Sequence, residues 1–120
     1  MHLYFDNPLF FMNVFSGLVF IIAGYIMLKF PPKRINSFYG YRTNLSMKNQ
    51  LHWDFAQKYS AITMIKLGFL MTISAGFFLF FYIDETTGII FSLVCILLLS
   101  GFLIWRVEKA LKEKFKNEPE

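Results

Sequence analysis

Three stretches of this chain run for 17 residues or more without a formal charge: 7–28 (22 residues), 67–83 (17 residues) and 86–105 (20 residues). At the helical rise they would be about 33, 26 and 30 Å long. The hydrocarbon core of a bilayer is about 30 Å thick. Inside it no water pairs with backbone N–H and C=O groups, so each stretch must be a helix. The second is the shortest, and it lengthens if Lys66 at its edge carries its ammonium back to the interface on its own methylene stem.

Composition agrees. With 56% apolar, 20% aromatic and 17% charged residues, 120 residues cannot clothe a small aqueous domain in the charged shell it needs. Disorder, a fibre and a disulfide scaffold are excluded on the same grounds. The single cysteine, Cys95, lies among Val94, Ile96 and Leu97 and behaves as a small hydrophobe. The expectation is an all-α integral membrane protein forming one domain over 1–120. Its helices lie at about 8–29, 61–83 and 87–105, joined by a loop at 30–60 and followed by a tail at 106–120.

Local signals mark the boundaries. Asn7-Pro8 is a cap followed by proline at the first helical position. Pro31-Pro32 stops the first helix. Asp84 to Gly88 can only be a tight link, so the second and third helices form an antiparallel hairpin. The first span is not read as a cleaved signal: it has no basic leader, its apolar run is too long, and no Ala-x-Ala site follows.

All twelve basic residues fall in two segments, seven between Lys29 and Lys66 and five between Arg106 and Lys116. The six N-terminal residues and the Asp84–Thr87 link have none. By the positive-inside rule the N-terminus and link face outward, and the loop and tail face the cytoplasm. The net charge of +4 is therefore a topology signal, and no nucleic-acid partner is expected.

Gly68, Thr72 and Gly76 recur every four residues on the second span, and Asn13, Gly17 and Gly24 make a similar face on the first. Small faces let membrane helices approach closely, and an asparagine can hydrogen-bond across at about 1 kcal/mol. These faces hold either an intramolecular bundle or a homo-oligomer. No ionisable group sits mid-span, and no inverted repeat or broken helix suggests transport. The tail carries a stripe of Ile104, Val107, Leu111 and Phe115 with i,i+4 pairs Glu108–Lys112 and Lys109–Glu113. Either it rests on anionic lipid or it docks a cytoplasmic partner.

The cytoplasmic loop is richer than a connector needs. Gly40 between two tyrosines suits a turn with positive φ. Ser46 can cap a helix beginning at Met47 with Leu45 stapling its entry, and that helix would run through Trp53 and Tyr59 into the second span. It is only weakly amphipathic (Met47, Leu51, Phe55 and Ile62 roughly share a face), so Trp53 and Tyr59 are expected as interfacial anchors. Arg42, among hydroxyls and amides, can hold a phosphate bidentately or stack on a ring; the plainer alternative is that it sets topology with Lys33 and Arg34. Catalysis is not expected. His2 and His52 fall on opposite sides, Asp54 lies off the His52 face, and no metal-ligand or glycine-rich phosphate pattern occurs. His52 is expected as a solvated aromatic, with no metal and no cofactor.

The segment 32–57 resembles the signature of the SdpI-like family, small multi-pass bacterial membrane proteins related to immunity against a secreted killing peptide. The residues carrying the likeness are Pro32, Asn36, Tyr39, Gly40, Tyr41, Arg42, Thr43, Ser46, Asn49 and Trp53. The resemblance implies an inner-membrane protein that protects its cell against a membrane-active antimicrobial peptide and signals to a cytoplasmic regulator. Asn36 through Trp53 in that set would be its binding residues. A non-catalytic scaffold or lipid-binding accessory subunit is the alternative, and a membrane enzyme a distant third.

Overall fold

The computed structural model describes residues 3–118, which form three helices and no strand: α1 (Pro8–Lys29), α2 (Gln50–Phe78) and α3 (Glu85–Lys114). All three are long and apolar enough to cross a membrane. They pack into a slender bundle of 58 × 25 × 22 Å, with the segment 30–49 and the tail at one end and the α2–α3 link at the other.

The link end is closed by Asn7. Its Oδ1 accepts from the Leu9 N–H at 2.9 Å, capping α1, and its Nδ2 donates to the Phe78 carbonyl at 2.9 Å. One side chain thus satisfies an orphan donor of α1 and an orphan acceptor of α2, where a cap alone contributes about 1 kcal/mol. From there α2 tightens: Leu79, Phe80 and Phe81 bond three residues back instead of four. The regular helix therefore stops at Phe78, short of the expected 83. Asp84 caps α3 by accepting from the Thr87 N–H at 3.2 Å.

At the other end α1 stops before Pro31-Pro32, and α2 begins at Gln50, far earlier than 61. Its cap is Asn49, whose Oδ1 accepts from the His52 N–H at 2.9 Å. Ser46 starts no helix. Its hydroxyl is taken by a turn, accepting from the Thr43 N–H at 2.8 Å, while the Ser46 N–H donates to the Thr43 hydroxyl at 3.1 Å. The irregular segment is therefore only 30–49. The third helix runs on to Lys114, past 105, so the stripe of the tail continues it.

α1 and α2 touch backbone to backbone. A Cβ built on Gly68 would lie 2.6 Å from the Gly17 carbonyl oxygen, one on Gly17 would lie 2.7 Å from that of Gly68, and one on Gly24 would lie 2.6 Å from that of Ala61. Thr72 borders the Gly17 crossing and turns its hydroxyl to the Gly68 carbonyl at 2.8 Å. Gly76 does not join this face; the space beside it is open. Residues four apart drift about 40° per step round a helix of 3.6 residues per turn, so Gly76 has rotated away, and Met71 and Ala75 are buried instead. Asn13 is buried, but its Oδ1 has no partner, so the expected cross-helix hydrogen bond through that oxygen is absent.

Along the spans Phe11, Phe15, Ile22, Phe69, Ile73, Leu97 and Leu98 stay exposed, as lipid-facing side chains do. The buried apolar cluster lies at the loop end, where Ala56 of α2 meets Val107 and Leu111 of α3 under Tyr41, Leu45 and Phe115. Lipid offers no hydrophobic drive between helices, whereas water does. The cluster lies where the chain leaves its apolar spans.

Candidate functional site

The loop is wired to α2 by its own motif. Asn36 folds the tip: its Oδ1 accepts from the N–H groups of Phe38 and Tyr39 at 2.9 and 2.8 Å, and its Nδ2 donates to the Arg34 carbonyl. The Tyr39 hydroxyl donates to the Phe30 carbonyl at 2.7 Å, covering the end of α1. Gly40 has φ +105°, and a Cβ there would also press on Pro32 and Gln57, so both backbone and space require glycine. Immediately after it, Tyr41 and Gln57 exchange two hydrogen bonds of 2.7 Å, Tyr41 N–H to Gln57 Oε1 and Gln57 Nε2 to the Tyr41 carbonyl. The Gln57 amide stands in for a neighbouring strand.

Trp53 is fully buried, and its indole N–H donates to the Pro32 carbonyl. It is a post inside the loop and not an anchor at the interface. Its acceptor is the carbonyl of a proline that ends α1, so the pairing arises only when the loop folds back over α2. Tyr59 is half-buried, stacked on Phe55 at 5.5 Å between centroids. Tyr41 reaches α3, with its hydroxyl 3.4 Å from the Ile104 carbonyl. Burial, then the charge of Glu108, push its phenol well above the usual tyrosine range.

His52 is also buried, contrary to the solvated aromatic expected. Its ring stacks on Phe115 at 4.1 Å, its Nδ1 lies 3.1 Å from the Leu45 carbonyl, and its Nε2 lies 3.1 Å from Glu118 Oε2. Carbonyl and carboxylate oxygens only accept, so each of these contacts is a hydrogen bond donated by the ring nitrogen. Glu118 also accepts from Asn49 Nδ2 at 2.9 Å and lies 3.7 Å from Lys48. Its carboxyl sits below the usual carboxylate range, chiefly through the hydrogen bond from His52, then that from Asn49, with the charges of His52 and Lys48 adding. The tail is thereby pinned to the start of α2. His2 lies outside the described residues.

Of the nine sequence-expected binding residues, Gly40, Tyr41, Thr43, Ser46, Asn49 and Trp53 are committed to holding the loop, and Asn36 to shaping its tip. Arg42 is exposed, with one guanidinium N–H on the Ser37 carbonyl and the rest free to bind. Next along the chain from that carbonyl is Phe38, 93% exposed, which sequence reasoning passed over. A phenylalanine so exposed, outside the apolar spans, is the signal that marks it. Gln57 and His52 gave no such signal, since a lone polar residue on a helix reads as surface.

Two clefts flank the loop. One, of about 450 Å³, lies between Pro31-Pro32 and the start of α2 and carries Lys33, Asp54 and Lys58. The other, of about 400 Å³, is mostly apolar and lies under Tyr39 and Tyr41 against Ala23, Ile26 and Met64. Among the described residues no three His, Cys, Asp or Glu side chains gather as metal ligands. The site is a hydrogen-bonded polar–aromatic platform on which Arg42 and Phe38 are exposed.

Residues 33–106 match the SdpI/YfhL protein family. YfhL of Bacillus subtilis (strain 168), described as an uncharacterized protein, is 50% identical over 56 residues, which cover 47% of this chain and 51% of the relative. The match thus spans about half the length of that curated relative. No solved structure matches.

Proposed function

We propose that this chain, which belongs to the SdpI/YfhL protein family, is an immunity-type protein of the bacterial inner membrane that protects its cell against a membrane-active antimicrobial peptide. That it is a multi-pass membrane protein rests on its three spans and its family. The family match across the loop is the observation that carries the immunity reading. Its orientation follows from charge: loop and tail in the cytoplasm, N-terminus and Asp84 link outside. The peptide is met in the bilayer along the lipid-facing helices. Phe38 and Arg42 form the cytoplasmic face that a regulator reads, aromatic and arginine side chains being enriched at protein interfaces. No step of this function is catalytic.

The test is survival of a susceptible bacterium expressing the chain, exposed to a panel of secreted membrane-active peptides, beside Arg42→Ala and Phe38→Ala. Protection by the parent establishes immunity. Loss or altered regulator capture in variants that still insert assigns the loop face. No protection against any peptide refutes the reading and favours a scaffold, which the heavily cross-bonded loop also suits.

A further inference from the structure

The charge that reaches furthest into the bundle is Lys66. It follows Ile62–Ile65 and precedes Leu67–Leu70 on α2, and its side chain is exposed. Charged groups at such depth are retained where they have a partner or a task. Among the described residues Lys66 makes no ion pair. Across the groove between α2 and α3 stands Arg106, also without a carboxylate, its guanidinium 6.0 Å from the centre of the Tyr59 ring. Both line one pocket of about 350 Å³, with Ile62, Leu67 and Phe102 as apolar walls and no acidic side chain.

We propose that this groove binds one anionic phospholipid of the leaflet at the loop end, its phosphate between Lys66 and Arg106 and one acyl chain on the apolar walls. The register fits. Ala56 of α2 meets Val107 and Leu111 of α3, so Lys66, ten residues further along α2, lies deeper than Arg106, and a lysine stem is long and flexible enough to bring its ammonium toward the headgroup level. Two cations converging between spanning helices are a headgroup site by charge complementarity. A zwitterionic headgroup brings its own cation and gains less. A free phosphate leaves the walls of Ile62, Leu67 and Phe102 uncovered. The Lys33–Lys58 cleft is the weaker candidate because Asp54 lines it and bonds Gln50 at 2.7 Å. The inference stands independently of the immunity reading.

The test is native mass spectrometry of the full chain in detergent, titrated with phosphatidylglycerol and with phosphatidylcholine. Phosphatidylglycerol should bind first and more tightly. Lys66→Gln or Arg106→Gln should each weaken it about fivefold, the factor equivalent to about 1 kcal/mol per basic residue at an anionic membrane. The charge-keeping pair Lys66→Arg with Arg106→Lys should retain it, which separates binding from misfolding. Lys112→Gln, which removes one charge from the tail, should leave it unchanged. Equal affinity for the two lipids, an equal loss in Lys112→Gln, or displacement of the lipid by millimolar inorganic phosphate would overturn the proposal.

Discussion

The same substitution at two glycines of α2 should have opposite effects. At Gly68 an alanine methyl would sit 2.6 Å from the Gly17 carbonyl oxygen, 2.9 Å from the Ile21 nitrogen and 2.6 Å from Ile21 Cγ1. Two of these are backbone atoms of α1 and cannot swing aside. Ordinary van der Waals contact begins near 3.4 Å, so the helices must part by roughly 0.8 Å at their closest crossing, and neighbours on both sides lose contact. Overpacking of this kind costs about 1–3 kcal/mol. At Gly76 the methyl meets nothing within 4 Å, and only the backbone gain of alanine over glycine remains, about 0.5–1 kcal/mol in the stabilising direction. The backbone gain is common to both variants and cancels, so the difference between Gly68→Ala and Gly76→Ala is the overpacking cost, about 1–3 kcal/mol. Reversible unfolding in mixed micelles of increasing denaturing detergent, followed by helix signal, measures it. Equal midpoints for the two variants would refute the close crossing. Loss of stability in Gly76→Ala would instead show that a second copy covers that glycine.

Two further outcomes test the loop end. Trp53→Phe keeps the aromatic volume roughly but leaves the Pro32 carbonyl without its donor, so it should destabilise by about 1–3 kcal/mol and increase protease cleavage within 30–49. An unchanged cleavage rate would mean the indole does not hold the loop. Glu118 is held below its ordinary value of 4.5, so docking of the tail is favoured above that value and is lost as pH falls through the lower, docked one. Amide protection at Phe115 to Glu118, taken relative to the intrinsic exchange rate at each pH, should therefore fall below about pH 4.5, and Glu118→Gln should lower it already at neutral pH and flatten the dependence.

The three spans were legible because a bilayer imposes length and composition on any helix that crosses it. The Asn7-Pro8 cap was legible because the N–H it accepts from, that of Leu9, lies two residues on. Ser46 and Asn49 are both good caps, three positions apart, and what separates them is remote: Asn49 also bonds Glu118, while Ser46 closes a turn onto Thr43. Trp53 read as an anchor because tryptophan favours interfaces; its acceptor on Pro32 exists only after the loop has folded back. Gly76 was lost to the difference between a repeat of four and a turn of 3.6 residues. Most of the motif's residues build the loop platform; Arg42 stands out already in the sequence, whereas Phe38 emerges only from burial.

The cluster under Tyr41 joins residues from the loop to Val107 and Leu111, which lie beyond two further hydrophobic spans in the chain. A ribosome delivers the loop long before its partners. Until α2 and α3 have both been inserted, Tyr41, Leu45 and Phe55 have nothing from α3 to rest on, and the loop lacks that side of its cover until the chain is nearly finished.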